Sequence, residues 1–591
     1  MPPRILSLVL LCVPAAVVSL LLAGMTGCGG GSDGAVRVSS PNPAALTAVS
    51  GNYQSGTVGE VLPSPLVVRV DDQSGRPYAG ATVTWTITSG GGAVDHASSV
   101  TGGDGTASAL WTLGTQAGDN ALTATSGALS PVSFTATGTA GSFANIVITS
   151  PDASVESGEV LQLSAAAADA YGNVLPHPLP PLSWASSDSN IARVTADGFL
   201  IALGPGTISI SASSGEITGS LPLTINAGIT ISLGAEEMVF QWSTDRCEDL
   251  DLPDVPAHVV RLADGTLVLI DGDAPRTYAS FGADFSSLQH DCAQFALSSG
   301  VSYYPESYDN WEWIHSIYRE GDIIHALIHN EYHDPISADC APGDTGPGNP
   351  CWYNSVTYAF STDGGHTFSH ATPPGHVVAP PWQEWDPTGP PPPYGYFNPS
   401  NIVHGQDGFY YAMIPALDRS GEGGGCVMRT QTLDDPTSWR GWDGTGFSLQ
   451  LTSPYTGPTP ARCMSVLGIF GQPSLTYNTY LGRYMMFGMT AVGGPTEVVG
   501  GFFYTLSSDL INWTPERFVR AAYIPWCCFD WSRTDAIAAV YPSIIDHEDS
   551  TPNFERPGRT PYLYYTRPND YPGRRDLDRD LVRIPMTITL H

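Results

Sequence analysis

One unit recurs through the C-terminal part of the chain and does most to decide its fold; it is plainest in FNPSNIVHGQDGFYYAMI, Phe397 to Ile414. Each copy has a polar or small start, usually with Pro, then an apolar strand, a turn and a second apolar or aromatic strand. The other four are DVPAHVVRLADGTLVLI (Asp254 to Ile270), WIHSIYREGDIIHALIH (Trp313 to His329), GQPSLTYNTYLGRYMMFGM (Gly471 to Met489) and the longer stretch from Val540 to Arg567. Asp264-Gly265, Glu320-Gly321, Asp407-Gly408 and Leu481-Gly482 occupy the turns, where an acidic residue or Gly suits a tight connection between antiparallel strands. A second motif follows in three units: FSTDGGHTF (Phe360 to Phe368), TLDDPTSW (Thr432 to Trp439) and LSSDLINW (Leu506 to Trp513). It sets an Asp in a turn with an aromatic residue shortly after, which suits an outer hairpin pinned by a side-chain-to-backbone bond and a buried ring. One unit is therefore about four strands, and this self-similarity predicts a five-bladed β-propeller over 228–591.

The chain has 591 residues, more than one domain usually holds. With 64 Gly, 50 Pro and little helical periodicity, the whole of it reads as all-β. The formal charge is −33 and all 24 basic residues are Arg, a balance that disfavours nucleic acid and anionic lipid as partners. Residues 1–27 carry Arg4, the apolar run Ile5 to Ala23 and Met25-Thr26-Gly27 ahead of Cys28. This resembles a bacterial lipoprotein signal, which implies a lipid on Cys28, with 28–44 as a flexible leader. The expected location is outside the cytoplasm, lipid-anchored at the cell surface or in the periplasm. Gly29, rather than Asp, after the modified Cys points to the outer membrane if the cell is Gram-negative.

Two stretches precede the propeller. Residues 45–139 alternate apolar and polar positions in short runs such as PLVVRVDD and GATVTWTIT, separated by turn clusters, which predicts a β-sandwich with Trp85 between its sheets. SGTVGEVLPSPLVVRVDDQSGRPYAGATVTWTITSGGG resembles the bacterial Ig-like domains of the intimin and invasin type. Residues 143–226 predict a second sandwich, similar to the other common bacterial Ig-like family through its W-x-S-S-D-x-x-x-A pattern, Trp184 to Ala192. Neither contains Cys or clustered carboxylates, so both read as spacers, with adhesion as the alternative. Eight of the ten Cys fall in 228–591, an even number that reads as disulfides. Cys340 with Cys351 is the first expected pair, followed by Cys247 with Cys292 and Cys426 with Cys463.

In a propeller the polar residues that start the inner strands converge at one end of the axis. Asp254, Glu312 with Trp313, Asn398, Gln472 and Tyr541 are expected there, with Glu331 in HNEYH, His329 to His333, nearby. On a strand, His329, Glu331 and His333 share one face. Trp311, Trp313, Trp352, Trp382 and Trp385 offer flat surfaces for sugar rings, with core packing as the alternative.

The units, the Pro-small start of the inner strands and the S-x-D-L-x-x-W turn at Ser507 to Trp513 resemble five-bladed propeller glycosidases of the arabinanase, xylosidase and fructosidase type. That resemblance implies an Asp base or nucleophile on the first inner strand and a Glu acid from a later blade. Asp254 matches the first position only with Val255 intervening before Pro256. STDGGHTF also fits the Asp-box of sialidase propellers, a structural turn in that family. Glycosidic cleavage passes through an oxocarbenium-like state that needs one protonated and one ionised carboxyl; Asp254 with Glu312 or Glu331 is the expected catalytic set, and Trp313, His333, Asn398 and Gln472 the expected sugar contacts. No cofactor is expected to be required, although Glu248, Asp249, Asp251 and Asp254 could supply oxygens to a structural Ca²⁺. The competing readings are a glycan-binding or adhesion protein that does not cleave, and a polysaccharide lyase.

Overall fold

The computed structural model describes residues 40–176, 180–300, 302–333, 352–386, 394–457, 460–468, 471–524, 538–569 and 578–591. Residues 1–27, where a signal is expected, Cys28, the Cys340–Cys351 loop and Cys527-Cys528 lie outside these residues. The described chain is nearly all strand and forms two compact units, divided between Thr139 and Ala140.

The first unit is a sandwich. One sheet runs Pro43–Ser50, Leu66–Asp72, Thr106–Ala109; the facing sheet runs Gln54–Thr57, Val132–Thr139, Gly118–Thr125, Thr82–Ser89, Ser98–Val100. Strict alternation puts Leu66, Val68 and Val70 on the inner face against Val83, Leu122 and Phe134, with Trp85 only 3% exposed among them. The second unit opens with another sandwich. Its larger sheet holds Val155–Glu156, Ile217–Asn226, Gly206–Ser214 and Ser183–Ser186, and its core is Leu200, Ile208, Ile210 and Ile225.

The propeller follows, and its five recurrent hairpins are the inner strand pairs of five blades. Blade I is Pro253–Arg261, Leu267–Gly272, Ala279–Gly282, Gln289–His290; blade II is led by Trp311–Glu320, Ile323–His333 and Trp352–Ser361. Blade III holds Val403–His404, Tyr410–Leu417, Gly423–Thr430 and Arg440–Gly441, and blade IV Gly471–Asn478, Arg483–Gly493, Val498–Ser507 and Arg517–Ala521. Blade V is Val540–Ile545, Tyr562–Pro568 and Arg579–Leu590, and its outer edge is completed by Ile229–Leu233 and Glu237–Phe240, from the start of the domain. The two ends of the domain are thus hydrogen-bonded in one sheet, which closes the ring and removes a free edge. The turn glycines Gly265, Gly321, Gly408 and Gly482 all have positive φ, 94°, 61°, 81° and 65°, where a side chain would strain the backbone.

The outer motifs are pinned as their sequences imply. Asp363 accepts from Thr367 N at 2.9 Å, Asp435 from Thr437 N at 3.0 Å and Asp509 from Asn512 N at 2.7 Å, while Phe368 and Trp439 are buried behind two of these turns. Disulfides join Cys247 to Cys292 and Cys426 to Cys463.

The second sandwich is docked on blade IV. Arg517 reaches Glu156 at 3.0 Å and Glu159 at 3.1 Å, Phe518 N donates to Gly158 O at 2.6 Å, and Asp197 accepts from Thr496 N and Glu497 N, both at 2.9 Å. Val160 of the sandwich packs into the blade III–IV core beside Phe518.

Candidate functional site

Each inner strand carries one irregularity at the same place. The strand register slips just before His258, Ser316, Ser474 and Ser543, and Ser400 makes the matching bonds to Met413 in blade III. Two residues before these five positions stand Pro256, Ile314, Asn398, Gln472 and Tyr541. In blades III to V that residue precedes Pro and has positive φ: 34° at Asn398, 54° at Gln472 and 56° at Tyr541. Such a backbone is costly for a non-glycine residue, and recurrence at three matched points around one axis marks a ring the fold holds deliberately. Below it, residues from all five blades, among them His258, Ile317, Asn401, Ser474 and Ser543, leave a cavity of only about 10 Å³. The site is therefore a mouth at one end of the axis.

No ring position carries a carboxyl group. The acids arrive from strand ends beside it. Asp254, at the start of blade I, accepts from the Tyr541 hydroxyl at 2.8 Å and is ion-paired to Arg579 from the last strand. Glu331 ends the second strand of blade II, 9% exposed, with His329 Nε2 at 2.9 Å on Oε1 and His333 Nε2 at 2.9 Å on Oε2. Asn398 N donates to His329 Nδ1 at 3.1 Å, so Nδ1 keeps its lone pair and the ring proton sits on Nε2, aimed at Glu331. Burial alone would raise Glu331, but the hydrogen bonds from His329 and His333 outweigh it and hold the carboxyl at about 2.

Asp273 follows the second strand of blade I. Its Oδ1 accepts from Trp313 Nε1 at 2.7 Å and from Ala274 N at 2.7 Å. Burial pushes its pKa up; those two bonds pull back, the charges of Glu331 and Asp251 add to the rise, and the result is about 7. The residue as a whole is of intermediate exposure, and its carboxyl is tied by Trp313 to the inner strand of blade II. The Tyr541 hydroxyl, raised well above 10 by burial and by the charges of Asp273 and Glu331, ties the three acids into one locality.

The strand register explains which expected residues meet. Trp311 lies opposite Glu331, Trp313 opposite His329 and Glu312 opposite Asn330. Trp313 and His333 thus share Glu331's face, and Glu312 takes the other. Glu312 is 1% exposed, accepts from Gly300 N at 3.3 Å and lies 3.0 Å from His370 Nε2 in the outer part of blade II. The structure does not bring it to the mouth. Asn398 and Gln472 stand on the ring, and Gln472 Oε1 is buried without a hydrogen bond among the described residues. Trp382 is core, edge-on to Tyr396 at 5.0 Å, and Trp385 stacks on Tyr394. Asp273 was not singled out in the sequence; its only signal is its place near the mouth end of a blade's second strand, where Glu331 also lies.

The four acids considered for Ca²⁺ turn to separate partners: Glu248 to Arg276, Asp249 to Arg246, Asp251 to His290 and Asp254 to Arg579. Cys247, Asp251 and His290 have ligand atoms within 4.8 Å of one another, but the Cys247 sulfur is bonded to Cys292.

Fold and site together define an all-β protein in which two Ig-like sandwiches precede a five-bladed propeller with an acidic mouth. No family model matches the chain, and no curated protein matches it in sequence. Similar solved structures include an endo-arabinase from Bacteroides thetaiotaomicron, 11% identical, covering 59% of this chain and 97% of that one with a TM-score of 0.34. An α-L-arabinanase from Cellvibrio cellulosa, complexed with arabinohexaose, is 10% identical and covers 55% and 90%, TM-score 0.32. A C-terminal fragment of intimin is 18% identical and covers 34% and 70%, TM-score 0.15.

Proposed function

We propose that the propeller is a glycoside hydrolase acting at its mouth, with Asp273 as the general acid and Glu331 as the ionised carboxylate. The observation that carries this is the contrast in setting between two acids at the mouth: Asp273 accepts from Trp313 Nε1 at 2.7 Å, while Glu331 is bonded on both oxygens, by His329 and His333 at 2.9 Å each. Burial pushes the first up to about 7, and the two imidazoles hold the second at about 2. Between those values Asp273 keeps a proton to give to a leaving oxygen while Glu331 stays charged, the two states that glycosidic cleavage requires. Asp254, bonded by the Tyr541 hydroxyl and ion-paired to Arg579, either activates water or orients the sugar. Trp313 positions Asp273 and offers an indole face; Asn398, Gln472 and His333 supply polar contacts. The test is release of reducing ends from a panel of plant, algal and bacterial polysaccharides by the whole protein.

Glycan binding without cleavage is the second reading, favoured by a ring of Pro256, Ile314, Asn398, Gln472 and Tyr541 that carries no carboxyl group. Under either reading the sequence before residue 45 supports a protein held outside the cytoplasm by lipid on Cys28.

A further inference from the structure

We propose that the mouth takes a neutral polysaccharide whose chain runs outward over the connection between blades I and II, stacking on Trp311, Tyr303 and Tyr304. This rests on reading the mouth as a glycan site and names the substrate class of that site.

Tyr303 is 59% exposed, Tyr304 66% and Trp311 38%, three large rings that add little to any core. The connection that carries the tyrosines is nonetheless firmly built. Asn310 Nδ2 donates to Ser302 O at 2.6 Å, Ser307 Oγ to Tyr304 O at 2.6 Å, and the Tyr332 hydroxyl to Tyr303 O at 3.2 Å. Holding exposed aromatic rings on a fixed backbone reduces the entropy lost when a partner stacks on them. Trp311 is continuous with the site, because it shares Glu331's face of blade II and meets the His333 ring edge-on at 6.3 Å, and His333 bonds Glu331. Asn310, next to Trp311, holds Ser302 and so sets the backbone that carries the tyrosines beside it.

Charge narrows the occupant. The connection carries Glu306 and Asp309, and no Arg or Lys occurs from 299 to 318. At the mouth Arg579 is already paired to Asp254. A polyuronate would meet uncompensated like charge along this path, whereas a neutral chain offers C–H faces to the rings and hydroxyls to the polar rim.

Affinity electrophoresis of the whole protein through gels containing linear arabinan, xylan, mixed-linkage glucan or polygalacturonate tests this. At least one neutral polymer is expected to retard the native protein, and polygalacturonate is not. The double variant Tyr303→Ala/Tyr304→Ala and the single variant Trp311→Ala should each weaken that retardation about five- to tenfold, the loss of one or two stacked rings, with an unchanged melting temperature. Equal retardation of native and variants, preference for polygalacturonate, or no retardation by any neutral polymer overturns the proposal. Native protein that is retarded in this way but releases no reducing ends supports the aromatic path and refutes only the hydrolytic role of Asp273.

Discussion

Trp313 Nε1 donates to Asp273 Oδ1 at 2.7 Å, a bond from the inner strand of blade II to the end of a strand in blade I. It fixes the indole in the mouth and stabilises the ionised form of a carboxyl that burial otherwise keeps protonated.

Removing that bond should move the pH dependence in a defined direction. Activity should fall above about pH 7 as Asp273 loses its proton. Trp313→Phe deletes a contact that favours the charged form, so the alkaline limb should move to higher pH. A kcat/KM profile of both proteins measures this; an alkaline limb that stays in place or moves down separates Asp273 from the acid role.

Stability against pH should show Glu331 and Asp273 acting in opposite senses. Glu331 has a native value of about 2 against an ordinary 4.5, so its stabilisation is complete above 4.5 and lost as pH falls towards 2. Glu331→Gln should destabilise the propeller by about 2–3 kcal/mol at pH 7, a penalty that shrinks on acidification. Asp273 has a raised value, so its ionisation costs stability as pH rises from 3.8 through about 7. Asp273→Asn should therefore raise the melting temperature at pH 8. Denaturation curves at pH 4, 7 and 8 check both signs.

The second sandwich and the propeller should unfold together. Arg517 bonds two acids of the sandwich at 3.0 and 3.1 Å, and the backbone pairing beside it continues a blade IV strand into that domain. In calorimetry, residues 140–591 should give one transition, and Arg517→Ala should lower or split it. Separate transitions in the unaltered protein would show the sandwich to be an independent spacer.

Cys28→Ser should leave the protein without lipid and move it from the detergent-extracted membrane fraction to the soluble fraction. Continued detergent-dependent association would refute the lipid anchor.

The propeller was legible because the inner hairpins repeat the same local chemistry: an apolar run in every one, a small Ser at the irregularity in blades II to V, and a turn glycine at positive φ in blades I to IV. Closure was legible too: Leu581 to Leu590 reads in the sequence as a last strand that pairs beside an early one, and it pairs with Ile229–Leu233. The site was harder to read. Asp254 and Glu331 stood out through their neighbours, but alternation along a strand turned Glu312 to the opposite face from Glu331. Asp273 follows an ordinary apolar strand, and its raised pKa depends on burial that only the folded blades create. The docking of Arg517 against Glu156 and Glu159 was illegible for a similar reason: in a chain with 57 acidic residues such charges resemble any solvated surface.

The most direct test of the central claim compares native protein, Asp273→Asn and Glu331→Gln for reducing-end release from whichever polysaccharide the native protein cleaves, with binding to the same polymer measured in parallel. The account predicts that each substitution lowers turnover by at least about a hundredfold while Asp273→Asn binds the polymer as the native protein does. Native-like turnover by Asp273→Asn would contradict it.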